Sequence, residues 1–186
     1  MIITLSGMPG SGKSTVAKIL ARRLRMKRYY IGELRRKMAK ERGMTLDELN
    51  RLGEREAWTD KVVDDYQKEL GEREDNFIIE GRTSFFLIPH SVKIFLDVDI
   101  RAGAARIFRE IRKGASKRNE GDPQSLEEAL KNVRERIASD RKRYKKYYNI
   151  DFLDKAHYDI VIDTTKITAA RAAEKILLML KKVKKN

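Results

Sequence analysis

Hydrophobic positions along the chain fall into two alternating kinds of stretch. Short, nearly continuous apolar runs occur at Met1-Ile2-Ile3-Thr4-Leu5, Arg28-Tyr29-Tyr30-Ile31, Asn76 to Arg82, Val92 to Asp97 and Tyr158 to Asp163. Between them, apolar residues recur at helical spacing. Val16, Ala17, Ile19, Leu20 and Leu24 do so over 13–25, Leu34 and Met38 over 33–42, and Trp58, Val62, Val63 and Tyr66 over 54–70. Ala102, Ala105, Ile107, Phe108 and Ile111 follow over 99–113, then a stretch from Ser125 to about Tyr148 and a last one from Ala169 to Val183. Runs of the first kind predict strands covered on both faces, and those of the second predict amphipathic helices. Thr45 with Glu48, and Ser125 with Glu128, have the spacing of capping boxes at helix starts. The alternation predicts an α/β fold: a parallel sheet with helices on both sides, in three layers. Two stretches stand outside it, the helical block from Glu33 to Leu70 and the basic break from Gly114 to Pro123. Both are expected to be insertions on a nucleotide-binding core, where acceptor lobes and lids are built.

The first strand leads into Gly7-Met8-Pro9-Gly10-Ser11-Gly12-Lys13-Ser14, which fits G-x-x-x-x-G-K-S. Gly7, Gly10 and Gly12 let backbone N–H groups, including that of Ser11, turn inward around a polyphosphate. Lys13 supplies a point charge for the β- and γ-phosphates and Ser14 a hydroxyl for Mg²⁺. The helix that follows, through Thr15, aims its positive end at the anion. Strand before and helix after are the context in which this loop binds nucleotides.

Composition narrows the class. The 186 residues suit one domain and contain no cysteine, so disulfides and thiolate metal sites are excluded. No apolar run approaches the roughly 20 residues that span a bilayer, and the N-terminal run is too short for a signal peptide. The expectation is a cytoplasmic monomer with no membrane role. Net charge is +14, from 42 Lys and Arg against 28 Asp and Glu. A nucleic-acid partner is one explanation and polyphosphate ligands another. Distribution favours the second. Residues 101–118 carry seven basic side chains and one acidic, and residues 131–146 carry eight and two. Two basic helices joined by a break describe a hairpin that closes over phosphates, and no aromatic-interleaved RNA platform accompanies them. The lysines at 181, 182, 184 and 185 suit a solvated helix end.

Glu80-Gly81-Arg82 ends a strand, so it is expected at the carboxyl edge where open parallel sheets bind ligands. There Glu80 would hold Mg²⁺ through water, Gly81 would let the backbone turn, and Arg82 would fork onto a phosphate. Asp97 competes for the metal role; Asp99 is expected to cap the next helix. His90 and His157, the two histidines, are expected to be structural or surface groups.

With the loop, Gly32-Glu33 with Arg36, Ile79 to Arg82, Arg101 to Arg109, and the run from Arg143-Tyr144 through Tyr148-Asn149-Ile150-Asp151 to Tyr158–Thr164, the chain resembles the nucleoside monophosphate kinases. The short cytidylate kinases of archaea and some bacteria are the most similar. The resemblance implies a five-stranded core over about 1–31, 76–113 and 149–186, an acceptor lobe over about 32–75 and a lid over about 110–148. It implies transfer from ATP, with Mg²⁺, to CMP or dCMP. It assigns Arg36 and Arg82, beside Gly32 and Gly81, to the acceptor phosphate. Around the transferring group it assigns Arg106, Arg109 and Arg136 or Arg141, with Asp140 or Arg143 positioning them. Three departures fall on the acceptor side: Tyr29-Tyr30-Ile31 before Gly32, Arg35 in place of an aromatic, and the bulk of Phe85-Phe86-Leu87. Two other classes stay open, a kinase of another small acceptor and an RNA- or ribosome-associated ATPase. A GTPase is disfavoured by the lack of an Asn-Lys-x-Asp sequence.

Overall fold

The computed structural model describes residues 1–114 and 123–183. Five strands form one parallel sheet: β1 (Ile2–Gly7), β2 (Lys27–Tyr30), β3 (Phe77–Glu80), β4 (Val92–Asp97) and β5 (Ile160–Asp163), in the order β2-β3-β1-β4-β5. The connection leaving β1 runs to one side of the sheet and that leaving β4 to the other. A crevice therefore opens beyond the carboxyl ends of these neighbours. Eight helices accompany the strands among the described residues: α1 (Lys13–Leu24), α2 (Ile31–Glu41), α3 (Leu46–Gly53), α4 (Trp58–Arg73), α5 (Ser84–Leu87), α6 (Ile100–Arg112), α7 (Leu126–Tyr148) and α8 (Ala169–Val183).

The pleat sorts side chains between two cores. Ile3, Leu5, Ile78, Ile94, Leu96, Ile160 and Ile162 pack against α1 and α8. Ile2, Phe77 and Ile79 point the other way, into a core shared with α2 to α5. Phe95 joins Phe85, Tyr158, Phe152 and Tyr144, which anchors the end of α7 on that second face. The three expected layers are present. The two basic helices α6 and α7 pack on each other through Ala104, Ile107, Leu130, Val133 and Ile137.

Local signals acted much as their chemistry dictates. The Thr45 hydroxyl accepts from the Glu48 N–H at 3.2 Å while the Thr45 N–H donates to Glu48 Oε2 at 2.7 Å, a complete capping box. Thr45→Ala is expected to lower stability by about 1 kcal/mol, read as a shifted urea midpoint with unchanged slope. At α7 the box is half made: Ser125 accepts from the Glu128 N–H, but the Glu128 carboxylate takes the Gln124 N–H instead. Asp99 caps α6 by accepting from the Ala102 N–H at 2.9 Å. Helix α2 begins at Ile31, two residues earlier than the sequence pattern suggests, so Gly32 lies inside its first turn. The basic break expected over Gly114–Pro123 falls largely on 115–122, outside the described residues, as do Lys184 and Lys185. No described helix is long and apolar enough to cross a membrane.

Candidate active site

The Gly7–Ser14 loop is held by close backbone approaches. A Cβ on Gly7 would lie 2.2 Å from the Leu96 carbonyl oxygen, and one on Gly10, at φ +75°, 2.2 Å from that of Gly103. Only glycine lets the loop lie this near to β4 and α6. The Ser11 hydroxyl donates to the Met8 carbonyl at 2.7 Å, so it braces the loop from inside. No side chain caps α1, unlike α3, α6 and α7. The N-terminus of α1, with the Thr15 N–H turned back onto the Gly12 carbonyl at 3.1 Å, thereby faces the loop with no side chain over it, open to an anion. Lys13 Nζ donates to the Gly7 and Met8 carbonyls at 2.9 and 2.7 Å, folded along the loop.

A cavity of about 350 Å³ opens in front of this loop. Gly10, Gly12, Lys13, Ser14 and Thr15 form one wall, and Gly32, Arg36, Glu80, Gly81 and Arg82 another. Arg106, Arg109 and Arg136 reach it from α6 and α7. Most residues expected to bind ligand are thus brought together. Gly7 and Ser11 are not on its surface; they shape the loop from behind. Arg141 is not brought in. It pairs with Asp151 at 2.6 Å on the exposed side of α7, so Arg136 is the one of that pair that faces the cavity. Arg106 reaches the cavity but its fork is committed, donating to the carbonyls of Gly10, Thr164 and Thr165 at 3.3, 2.7 and 3.0 Å. It ties the loop to the end of β5. Asp97 pairs with Lys155 at 2.5 Å and is absent from the cavity wall. His157 stacks on Phe85 and His90 is exposed; neither lines the cavity.

Glu80 is buried, and Arg28 Nε donates to its Oε1 at 2.5 Å. Its Oε2 is buried without a hydrogen-bond partner. An orphaned carboxylate oxygen on the same cavity as the Ser14 hydroxyl is a hard-oxygen pair that fits a hydrated Mg²⁺.

The acceptor-side departures from the family pattern have structural explanations. The Arg36 guanidinium lies over the Tyr30 ring, 5.2 Å from its centroid, while its Nη2 donates to the Tyr30 hydroxyl at 2.9 Å. Arg35 donates to Asp60 Oδ1 at 2.6 Å and to Asn50 Oδ1 at 3.0 Å. Phe85 fills the core under α7, and Phe86 sits 5.8 Å from the Tyr148 ring.

A buried chain of charges lies under the cavity; Asp140 and Arg143, offered above as positioning residues, are joined in it by Asp60, which the sequence did not single out. Arg35 pairs with Asp60, Asp60 with Arg143 (2.6 Å to Oδ2), Arg143 with Asp140, and Asp140 with Arg82. Arg143 is fully buried and Asp60 and Asp140 nearly so. Burial alone would raise the Asp140 pKa, but the attraction of Arg82, Arg143 and Arg136 outweighs it and holds the carboxyl below its usual range. Asp64 behaves differently. Burial, opposed by hydrogen bonds from Tyr148 and Thr83, pushes its carboxyl up to about 6.

The chain matches the family model of the cytidylate kinase-like family over residues 2–166. The chain belongs to that family. A cytidylate kinase of Methanocella arvoryzae is 40% identical over 185 residues, covering 100% of this chain and 99% of that protein. One from Pyrococcus furiosus is 40% identical over 167 residues, 89% of this chain and 81% of the other. Among solved structures, a shikimate kinase from Bacteroides thetaiotaomicron superposes with a TM-score of 0.66 at 16% identity, covering 97% of this chain and 98% of the other, which reflects the fold. This member of the cytidylate kinase-like family is an ATP-dependent enzyme that transfers a phosphoryl group to a nucleoside monophosphate.

Proposed function

We propose that the acceptor is CMP or dCMP and that the products are the corresponding diphosphate and ADP. The 40% identity to cytidylate kinases over most of the chain supports the base, and a cavity that joins the phosphate loop to a second wall of arginines supports two substrates meeting phosphate to phosphate. ATP lies with its phosphates on Gly7–Ser14, against the N-terminus of α1 and the Lys13 ammonium. Arg36 and Arg82 hold the acceptor phosphate in line. Its oxygen attacks the γ-phosphorus, the bond from that phosphorus to the β–γ bridging oxygen breaks, and ADP leaves with the electron pair. An ionised phosphate oxygen is already nucleophilic, so no side chain need act as general base. Arg109 and Arg136 sit over the transferring group from α6 and α7, the arms of a lid spanning about 110–148, and offset its equatorial charge. Arg106 serves by fixing the loop. Mg²⁺ would be held by Ser14 and, through water, Glu80, where it would neutralise the phosphates. Closure of the arms excludes water, the competing acceptor.

A coupled assay of ADP formation across CMP, dCMP, UMP, AMP and GMP tests the reading. Turnover is expected to be fastest with CMP or dCMP. No turnover with any nucleotide acceptor would overturn it.

A further inference from the structure

The wall of the cavity between α3, α4 and the turn after β3 carries polar groups to which the phosphate chemistry gives no task. Asp64 is the centre of them. Its Oδ1 accepts from Gln67 Nε2 at 2.9 Å and from Thr83 Oγ1 at 3.0 Å, and its Oδ2 accepts from the Tyr148 hydroxyl. Gln67 is fixed in orientation, because its Oε1 takes the Ser84 hydroxyl at 2.5 Å and its Nε2 also reaches Thr83 at 3.4 Å. The donors of Gln67, Thr83 and Tyr148 are therefore spent on the cluster itself. A carboxylate has about four acceptor sites, and three are used here. What the cluster offers the cavity is an acceptor. On the same cavity, Arg35 holds the Asn50 carbonyl oxygen, which leaves the Asn50 amide –NH₂ as a donor.

We infer that Asp64, held by Gln67, Thr83 and Tyr148, reads the base of the acceptor and selects one that presents an exocyclic amine. The inference rests on the reading of this wall as the acceptor side. An ionised carboxylate accepts from the amine of cytosine. Uracil places a carbonyl oxygen at the same point, an acceptor facing an acceptor, and the mismatch leaves a buried polar group unpaired. The Asn50 amide donates to the ring nitrogen or carbonyl that cytosine presents beside its amine. Asp64 is thus a specificity-determining residue, one that touches substrate away from the reacting atoms.

Protonation relaxes the preference. A neutral carboxyl donates, and it then accommodates the uracil oxygen. The groups facing Asp64 set where this occurs. Burial raises its pKa to about 6, helped by the like charge of Asp60 on α4; Tyr148 on α7, Thr83 after β3 and Arg35 on α2 oppose the rise.

The test compares kcat/KM for CMP and UMP in the intact enzyme with saturating MgATP, from pH 5.5 to 8. The two acceptors share the same phosphate, so its titration cancels in their ratio. The wild-type ratio is expected to favour CMP near neutrality and to narrow as pH falls through about 6. Asp64→Asn should lower the ratio at pH 7.5 by at least about tenfold, the size of one lost base-specific contact pair, and remove its pH dependence. Tyr148→Phe keeps the carboxylate but removes a hydrogen bond that favours its ionised form. It should keep the preference and move its midpoint to higher pH. If D64N fails to fold, the wild-type and Y148F profiles decide alone. A wild-type ratio flat across the range, or a D64N enzyme with the parental ratio, would overturn the inference while CMP turnover left the proposed function standing. Absence of turnover with every nucleoside monophosphate would overturn both.

Discussion

Lys13→Ala is expected to lower kcat/KM for phosphoryl transfer by about 10²–10³-fold, the loss that follows removal of one positioned transition-state donor. The larger figure is favoured because the lost group is a full charge. In the structure the ammonium lies along the loop, donating to the Gly7 and Met8 carbonyls. It is held at the loop before substrate arrives, on the wall of the cavity proposed to receive the β- and γ-phosphates. Little reorganisation energy is then spent at the moment of transfer. Most of the loss should appear in kcat, since charge at the leaving oxygen develops only in the transition state. The fold should survive: two backbone acceptors lose a donor at a partly solvated site, a cost of about 1–2 kcal/mol. Lys13→Arg should rescue poorly, because a broad planar fork cannot replace a compact charge inside a closed loop. A K13A enzyme as active as its parent would mean that the loop is not the donor site.

How much of this was legible from the sequence depends on how local each signal is. The five strands and the main helices follow from apolar period, and the phosphate loop from glycines at fixed offsets. These are short-range features. The Glu80-Gly81-Arg82 turn was legible because it ends a strand. The charge chain was not. Arg143 and Asp60 are 83 residues apart, and nothing local couples an arginine on one polar helix to an aspartate on another. A signal was nevertheless present in α4. Asp60, Asp64 and Gln67 follow i, i+4, i+7 spacing on the stripe that holds Val63 and Leu70, so three polar residues occupy the inward face. The same arithmetic separates the arginines of α7. Arg136, Asp140 and Arg143 share the face of Val133, Ile137 and Tyr144, whereas Arg141 falls off it. Counting basic residues could not make that distinction; helical phase could. Arg106 is a separate case: it lies on the cavity, and carbonyls at the end of β5, 58 residues further along the chain, take its fork.

Asp140→Asn is expected to cost about 3–5 kcal/mol of stability, the range for removing one partner from a buried ion pair. For a chain of this length that is a fall in Tm of roughly 6–20 °C. The reason lies in the charge count. Arg35, Arg82 and Arg143 set three positive charges against Asp60 and Asp140, an excess of one beside a cavity proposed to receive an anion. Without Asp140 the excess becomes two, and Arg82 loses its ion-pair partner while Phe152 still lies under its guanidinium at 5.5 Å. The pH dependence has a definite sign. The Asp140 pKa is held low in the folded state, so its contribution is present above the unfolded value of 3.8 and is lost as pH falls through the folded one. D140N should therefore show a shallower loss of stability on acidification below about pH 4 than the parent. Two further measurements separate this account from a packing defect. Removing Arg82 as well takes away the unpaired charge, so Arg82→Met with D140N should cost less than the sum of the single changes. Millimolar phosphate or CMP should raise the Tm of D140N by more than it raises that of the parent, because the ligand supplies the missing negative charge at the cavity wall. Equal shifts in both proteins would show that Asp140 acts on stability through packing and leaves the acceptor site untouched.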